Sequence, residues 1–192
     1  MAAITISRQL GSRGTAMACE VAGRLRFRLV RRELINEAAR QAGAPEMALA
    51  AIDDLGLFDL HPPEDVCRAY RSAVAEMMNR LVAQEDVVIV GRAGQVILGG
   101  RSDVLHVRII APAGVRAARI AAQQGIPAGA AHARIEQSDR TRREYLRCAY
   151  DVDWNDPALY DLVLNTERIA VQRGANLIGQ ALTALASPTS YD

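Results

Sequence analysis

Ile4-Thr5-Ile6 is a short, apolar, β-branched run that leads into a turn holding Gly11 and Gly14. From Thr15 the pattern turns helical, with Ala18, Val21, Ala22 and Leu25 recurring at three and four. A buried strand, a glycine-bearing turn and a helix in that order bring backbone N–H groups and a helix N-terminus to one point. Such a point attracts phosphate. The same residues would also serve a plain β–α turn with no phosphate role.

The stretch resembles a P-loop but departs from G-x-x-x-x-G-K-[ST]. Ser7 takes the first Gly position, Ser12 the second and Arg13 the Lys, and Thr15 falls on the threonine. The chain has no lysine at all, so its 23 basic residues are all arginine. If the loop binds phosphate, Arg13 or Arg8 must supply the cation, as a bidentate fork rather than a compact ammonium.

Further along, strands alternate with helices. Strands are expected at Phe27–Val30, in the Val-Val-Ile-Val run ending at Val90 (taken as the central strand), at Val104–Ile110 and within Leu159–Leu164. Helices are expected from Leu34 to about Gly43, from Pro45 to Ile52, over Glu64–Gln84, Gln95–Leu98, Gly114–Gln124 and Ala130–Tyr150, and from about Ile169 to Leu185. Asp53–Pro63 and Asp151–Pro157 read as loops, and the residues from Ser187 as a frayed tail. This alternation implies an α/β fold with a buried parallel sheet.

At 192 residues one domain is the default. The net charge of +1 gives no electrostatic case for nucleic-acid or membrane binding. No apolar run reaches the ~20 residues of a membrane span, and the N-terminus has no signal-like pattern, so a cytoplasmic protein is expected. Cys19, Cys67 and Cys148 lie far apart, and His61, His106 and His132 are scattered. That spacing fits neither a disulfide framework nor a zinc site. Cys19 is expected to be buried on the first helix, and Met77 and Met78 to fill the core.

Three groups converge if the sheet is parallel: the loop of Gly11, Ser12, Arg13, Gly14 and Thr15; Gly91-Arg92 after the Val-Val-Ile-Val strand; and the Arg-rich helix around Asp139 and Arg142. Ligands sit at such strand ends, and phosphoryl transfer needs mainly cations that hold donor and acceptor in line. Arg92 could instead bridge to a surface carboxylate. The Arg-rich helix could instead be a solvated face with Glu136–Arg140 as an i,i+4 pair.

The ordered set Ile4-Thr-Ile-Ser-Arg-Gln-Leu-Gly-Ser, Val88-Ile-Val-Gly-Arg-Ala-Gly, Asp139-x-x-Arg142-x-x-Tyr145, Asp153-Trp154 and Tyr160-Asp-Leu-Val-Leu-Asn-Thr166 resembles the cytidylate kinase-like proteins, a branch of the P-loop nucleoside monophosphate kinases. The resemblance implies a three-layer P-loop NTPase fold with a parallel sheet of about five strands flanked by helices. It implies an acceptor-binding segment at about 36–85 and a lid at about 123–145. The implied reaction moves the γ-phosphate of ATP to CMP or dCMP with Mg²⁺, in a monomer or homodimer.

By position, Gly11 to Thr15 and Arg8 would hold the donor phosphates, with Thr15 as the Mg²⁺ ligand. Arg92, Asp139 and Arg142 would bind the acceptor. Arg13, Arg140 and Arg142 would serve catalysis, with Arg143 a further lid contact. The departures are the absent lysine, Arg31-Arg32 where an Asp is usual beside an Arg, and Ala93 where the Gly-Arg-Asp motif has its Asp. They leave open a nucleotide-binding protein without transfer, or a kinase for another phosphate acceptor.

Overall fold

The computed structural model describes residues 1–41 and 63–186. The expected helix at 45–52, most of the loop before Pro63 and the C-terminal tail lie outside those residues.

β1 (Ala3–Arg8) is the middle strand. Ala3 and Thr5 face one side and Ile4 and Ile6 the other, and all four are buried, as a strand covered on both faces requires. Around it lie β2 (Arg28–Val30), β3 (Val87–Val90), β4 (Val104–Ile110) and β5 (Leu162–Asn165), in the order β2-β3-β1-β4-β5. Each pairing is parallel. The expectation that the Val-Val-Ile-Val strand is central is therefore corrected. β3 is fully buried but lies one place off centre, because only the three-residue β2 lies beyond it.

The helices cover the two faces. α1 (Gly14–Leu25) and α7 (Val171–Ala186) seat Met17, Val21 and Ile178 on Ile4, Ile6, Val88 and Val107. α2 (Arg32–Gln41), α3 (Glu64–Gln84) and the short α4 (Gly94–Ile97) cover the other face, where Ile35, Tyr70, Val74 and Met78 meet Val87 and Ile89. α5 (Ala113–Gln124) and α6 (Ala128–Tyr150) form a hairpin around Ala117, Ile120, Ala131 and Ile135, and Leu10 of the first loop packs against it. α6 starts just after Pro127, whose missing N–H costs nothing at a helix start. Met78 is buried and Met77 packs beside it, so both fill the core.

Cys19 corrects another expectation: it is exposed. The buried positions of α1 are Met17, Ala18, Val21 and Ala22, so position 19 points outward. Its Sγ lies 3.0 Å from Arg31 Nη2.

Candidate active site

β1 and β3 are neighbours in register, Ile6 opposite Val90, so the turns after them emerge side by side at one sheet edge. The first turn runs from Gln9 to Arg13, and its carbonyls are tied down one after another. Gln9 O accepts from Ser12 Oγ at 2.8 Å, and Leu10 O accepts from Arg116 Nη1 at 3.3 Å. Gly11 O accepts from Arg119 Nη1 at 3.3 Å, and Ser12 O from Thr166 Oγ1 at 2.7 Å. Carbonyls held this way cannot turn toward an anion.

α1 begins at Gly14 behind Arg13, which supplies no side-chain cap. The first-turn N–H groups of α1 therefore keep the free donors and positive end that any uncapped helix start offers. They open on a cavity of about 810 Å³ lined by Arg8, Gly11, Arg13, Gly14, Thr15, Arg119 and Arg142, with no carboxylate among the described lining residues. Burial lowers the Arg119 pKa, and the nearby Arg13 charge lowers it further. Ser12 is fully buried and both its N–H and hydroxyl turn back to Gln9, so it shapes the loop rather than facing the cavity.

The second turn is Gly91-Arg92-Ala93, all left-handed with φ of 83°, 52° and 56°. For Arg92 and Ala93 this costs roughly 1–2 kcal/mol each. Strain of that kind persists where the fold over-determines it, often at functional sites. Here it puts the Arg92 side chain, 9% exposed, inside the protein. Its Nη2 donates to Asn36 Oδ1 at 2.8 Å, and its guanidinium lies 5.9 Å from the Tyr70 ring centre. Arg92 lines a smaller cavity of about 100 Å³ with Ser7, Arg8, Gly91, Arg142, Tyr145 and Trp154.

Trp154 is held tightly at that cavity. Its Nε1 donates to Ser7 Oγ at 2.9 Å, its carbonyl accepts from Tyr160 Oη at 2.9 Å, and Arg108 lies 4.5 Å from its ring centre. Arg108 also donates to the Trp154 carbonyl and to Asn155 Oδ1.

α6 divides the expected residues. Arg142 is half-buried and lines both cavities, with Nη1 on the Ser138 carbonyl at 3.0 Å and on the Ser138 hydroxyl. Asp139 lines neither. Its Oδ2 accepts from Arg116 Nη2 at 2.8 Å, with the two side chains 14% and 6% exposed. One turn of α6 and the α5–α6 packing point Asp139 at the back of the first loop.

Arg140 is exposed and, with Arg143, lines an outer groove that also holds Asp151 and Asp153. As placed here, neither touches the two inner cavities. Glu136 lies 3.6 Å from His132, not against Arg140.

Arg116, Arg119 and Asn36 were not expected at the site. A signal existed for the arginines: at i and i+3 on the first helix after β4, they fall at the same sheet edge as the first loop. Arg116 in particular occupies a buried position in an Ala-rich helix. Asn36 has no motif around it. Among the described residues no three His, Cys, Asp or Glu side chains group as a metal site. The exposed Thr15 at the start of α1 lines the larger cavity, and its hydroxyl is a hard oxygen of the kind Mg²⁺ takes alongside phosphates and water.

A 2-3-1-4-5 parallel sheet whose middle strand feeds a carbonyl-tied turn and an uncapped helix defines the P-loop kinase class of fold. The chain matches the cytidylate kinase-like family over residues 3–168, and it belongs to that family. It is 29% identical to the cytidylate kinase of Methanoculleus marisnigri, over 98% of each protein. It is 31% identical to that of Methanopyrus kandleri over 115 residues, 55% of this chain and 60% of that protein. Among solved structures, an uncharacterised protein of Eubacterium ventriosum superposes with a TM-score of 0.76 at 19% identity, covering 96% and 99% of the chains. A gluconokinase of Sinorhizobium meliloti gives 0.55 at 14% identity, covering 96% and 91%. No helix among the described residues is long and apolar enough to cross a membrane.

Proposed function

We propose that this protein is a phosphotransferase that moves the γ-phosphate of ATP to a nucleoside monophosphate, CMP or dCMP being the leading acceptors. One observation carries the reading: two cavities, one backed by an uncapped helix N-terminus and one by buried Arg92, share a wall made by Arg8 and Arg142. That is the arrangement a donor and an acceptor phosphate need to meet in line.

In this reading the first-turn N–H groups, Arg13 and Arg119 hold the donor phosphates in the larger cavity. Arg92 holds the acceptor phosphate, with Asn36 fixing its guanidinium. Arg142 neutralises charge between them. Mg²⁺ bound at Thr15 would offset charge on the donor phosphates. Residues 123–145 act as a lid whose closure excludes water, so that transfer to the acceptor outcompetes hydrolysis. Residues 36–85 supply the acceptor side through Asn36 and Tyr70, and one domain carries both sides. The relatives' name supports cytidine as the base, while Ala93 in place of an acidic residue argues for testing other bases with equal care.

The test is ADP release with Mg·ATP and CMP, dCMP, UMP, AMP or GMP, beside an Arg142→Ala control. Turnover that prefers CMP or dCMP and is lost in the control supports the reading. ATP binding with no turnover on any acceptor would replace it with nucleotide binding without transfer, which the missing lysine favours.

A further inference from the structure

Arg8 is the last residue of β1, and its side chain runs from the first loop to the second. Two glycines make room for it. A Cβ built on Gly14 would fall 2.4 Å from Arg8 Cβ and 2.9 Å from Cγ. A Cβ on Gly91 would fall 2.6 Å from Arg8 Nη1. Gly14 opens α1 on the donor side, and Gly91 opens the strained turn that carries Arg92 on the acceptor side. The stem of Arg8 thus passes Gly14 and its guanidinium lies against Gly91, between the two cavities that it lines.

We propose that Arg8 is a catalytic residue: its guanidinium bridges the donor γ-phosphate and the acceptor phosphate and does the work that a loop lysine would otherwise do. This rests on the kinase reading above. Arg13, at the lysine position, is exposed and lines only the donor cavity, so it serves the donor side alone.

In the step, an oxygen of the acceptor phosphate dianion forms a bond to the γ-phosphorus. The bond from that phosphorus to the β–γ bridging oxygen breaks, and its electron pair stays on the leaving ADP. No proton has to move. The charge developed is spread over the phosphoryl oxygens and the bridging oxygen. A planar fork at the junction can donate to both sides at once, which a single ammonium on the donor side cannot.

Two measurements test this on the whole chain. The first is turnover of wild type, Arg8→Met, Gly91→Ala and the double variant, with folding followed by circular dichroism. The second is calorimetric binding of ADP, of CMP, and of an adenosine–cytidine ligand joined by five phosphates. Loss of one preorganised donor to transition-state charge costs on the order of 10²–10³ in kcat. Arg8→Met should lose that much, with ADP and CMP binding changed less than about threefold and the linked ligand at least about tenfold weaker.

Gly91→Ala meets both the guanidinium and a left-handed backbone, so it should lower kcat, and the double variant should lose less than the product of the two single losses. An active wild type with an equally active Arg8→Met overturns the role of Arg8 and leaves the kinase reading standing. If wild type turns over no acceptor, the kinase reading falls. The bridging contact then stands only if wild type binds the linked ligand more tightly than Arg8→Met does. Equal or absent binding overturns it as well.

Discussion

At the residue scale, Arg92 and His106 are buried groups with opposite consequences. Arg92 is held in a strained backbone conformation with its charge turned inward. In the proposed reading, replacing it with Ala removes a charge-assisted partner of the acceptor phosphate worth ~1.5–3 kcal/mol. The expected result is a kcat/KM for the acceptor roughly 10- to 100-fold lower, with the KM for ATP little changed. An unaltered acceptor response would take Arg92 out of the site. His106 is buried on β4 with Nδ1 2.7 Å from Thr5 Oγ1, and burial holds its pKa below the ordinary 6.5 despite the nearby Asp161. Below pH 6.5 the unfolded chain takes up a proton that the folded chain refuses. Stability therefore falls as pH drops through that window, by at most about 1.4 kcal/mol per pH unit. Urea midpoints at pH 7.5 and 5.5 should separate for wild type and converge for His106→Gln; parallel curves would assign the acid sensitivity elsewhere.

At the scale of elements, α6 decides what the lid arginine does. Asp139 and Arg142 share one face of the helix at i and i+3, yet Asp139 is tied to Arg116, which also holds the Leu10 carbonyl. The pair links α6 to the back of the first loop. Breaking a buried pair by removing one partner costs about 3–5 kcal/mol, so Asp139→Ala should loosen the α5–α6 hairpin and raise its hydrogen exchange. It should lower turnover with every acceptor by a similar factor. If Asp139 instead reads the acceptor base, the ratio of CMP to AMP turnover will change, and that ratio discriminates the two roles.

The sequence pattern was good at elements and poorer at partners, for a physical reason. Val104–Ile110 and Glu64–Gln84 are legible because strand alternation and helical spacing are local. The partner of Asp139 is 23 residues away in sequence, on another helix. The outward turn of Cys19 depends on which face of α1 meets the sheet. The places of Arg92 and Arg142 on the cavity walls were legible because motif and sheet edge pointed the same way. Arg119 needed the loop's carbonyls to be seen before it had a role.

At the scale of the molecule, the sheet and the lid differ in what they can do during a reaction cycle. The two cavity-lining turns leave adjacent parallel strands whose residues are buried on both faces. Their spacing is fixed by β1–β3 pairing and by two apolar cores, so moving one turn against the other would break strand hydrogen bonds. The α5–α6 hairpin has a separate, smaller core of four buried residues, and α6 is exposed along much of its length. The hairpin is held to the first loop by Arg116, Arg119 and Leu10 rather than by strand pairing, and, if it serves as the proposed lid, nucleotide binding should order it while leaving the sheet as it was. Without ligand, amides across 113–150 should exchange faster than those of β1, β3 and β4, which open only on global unfolding, and Mg·ATP with CMP should slow the hairpin amides by at least about tenfold. Trp154, the single tryptophan, borders the acceptor cavity and gives an independent reading. Its fluorescence should respond to CMP with or without ATP, and should respond less in Arg92→Ala. Hairpin amides that already exchange as slowly as the sheet's without ligand would mean that the hairpin does not open separately from the fold, and water exclusion would then have to come from elsewhere in the chain.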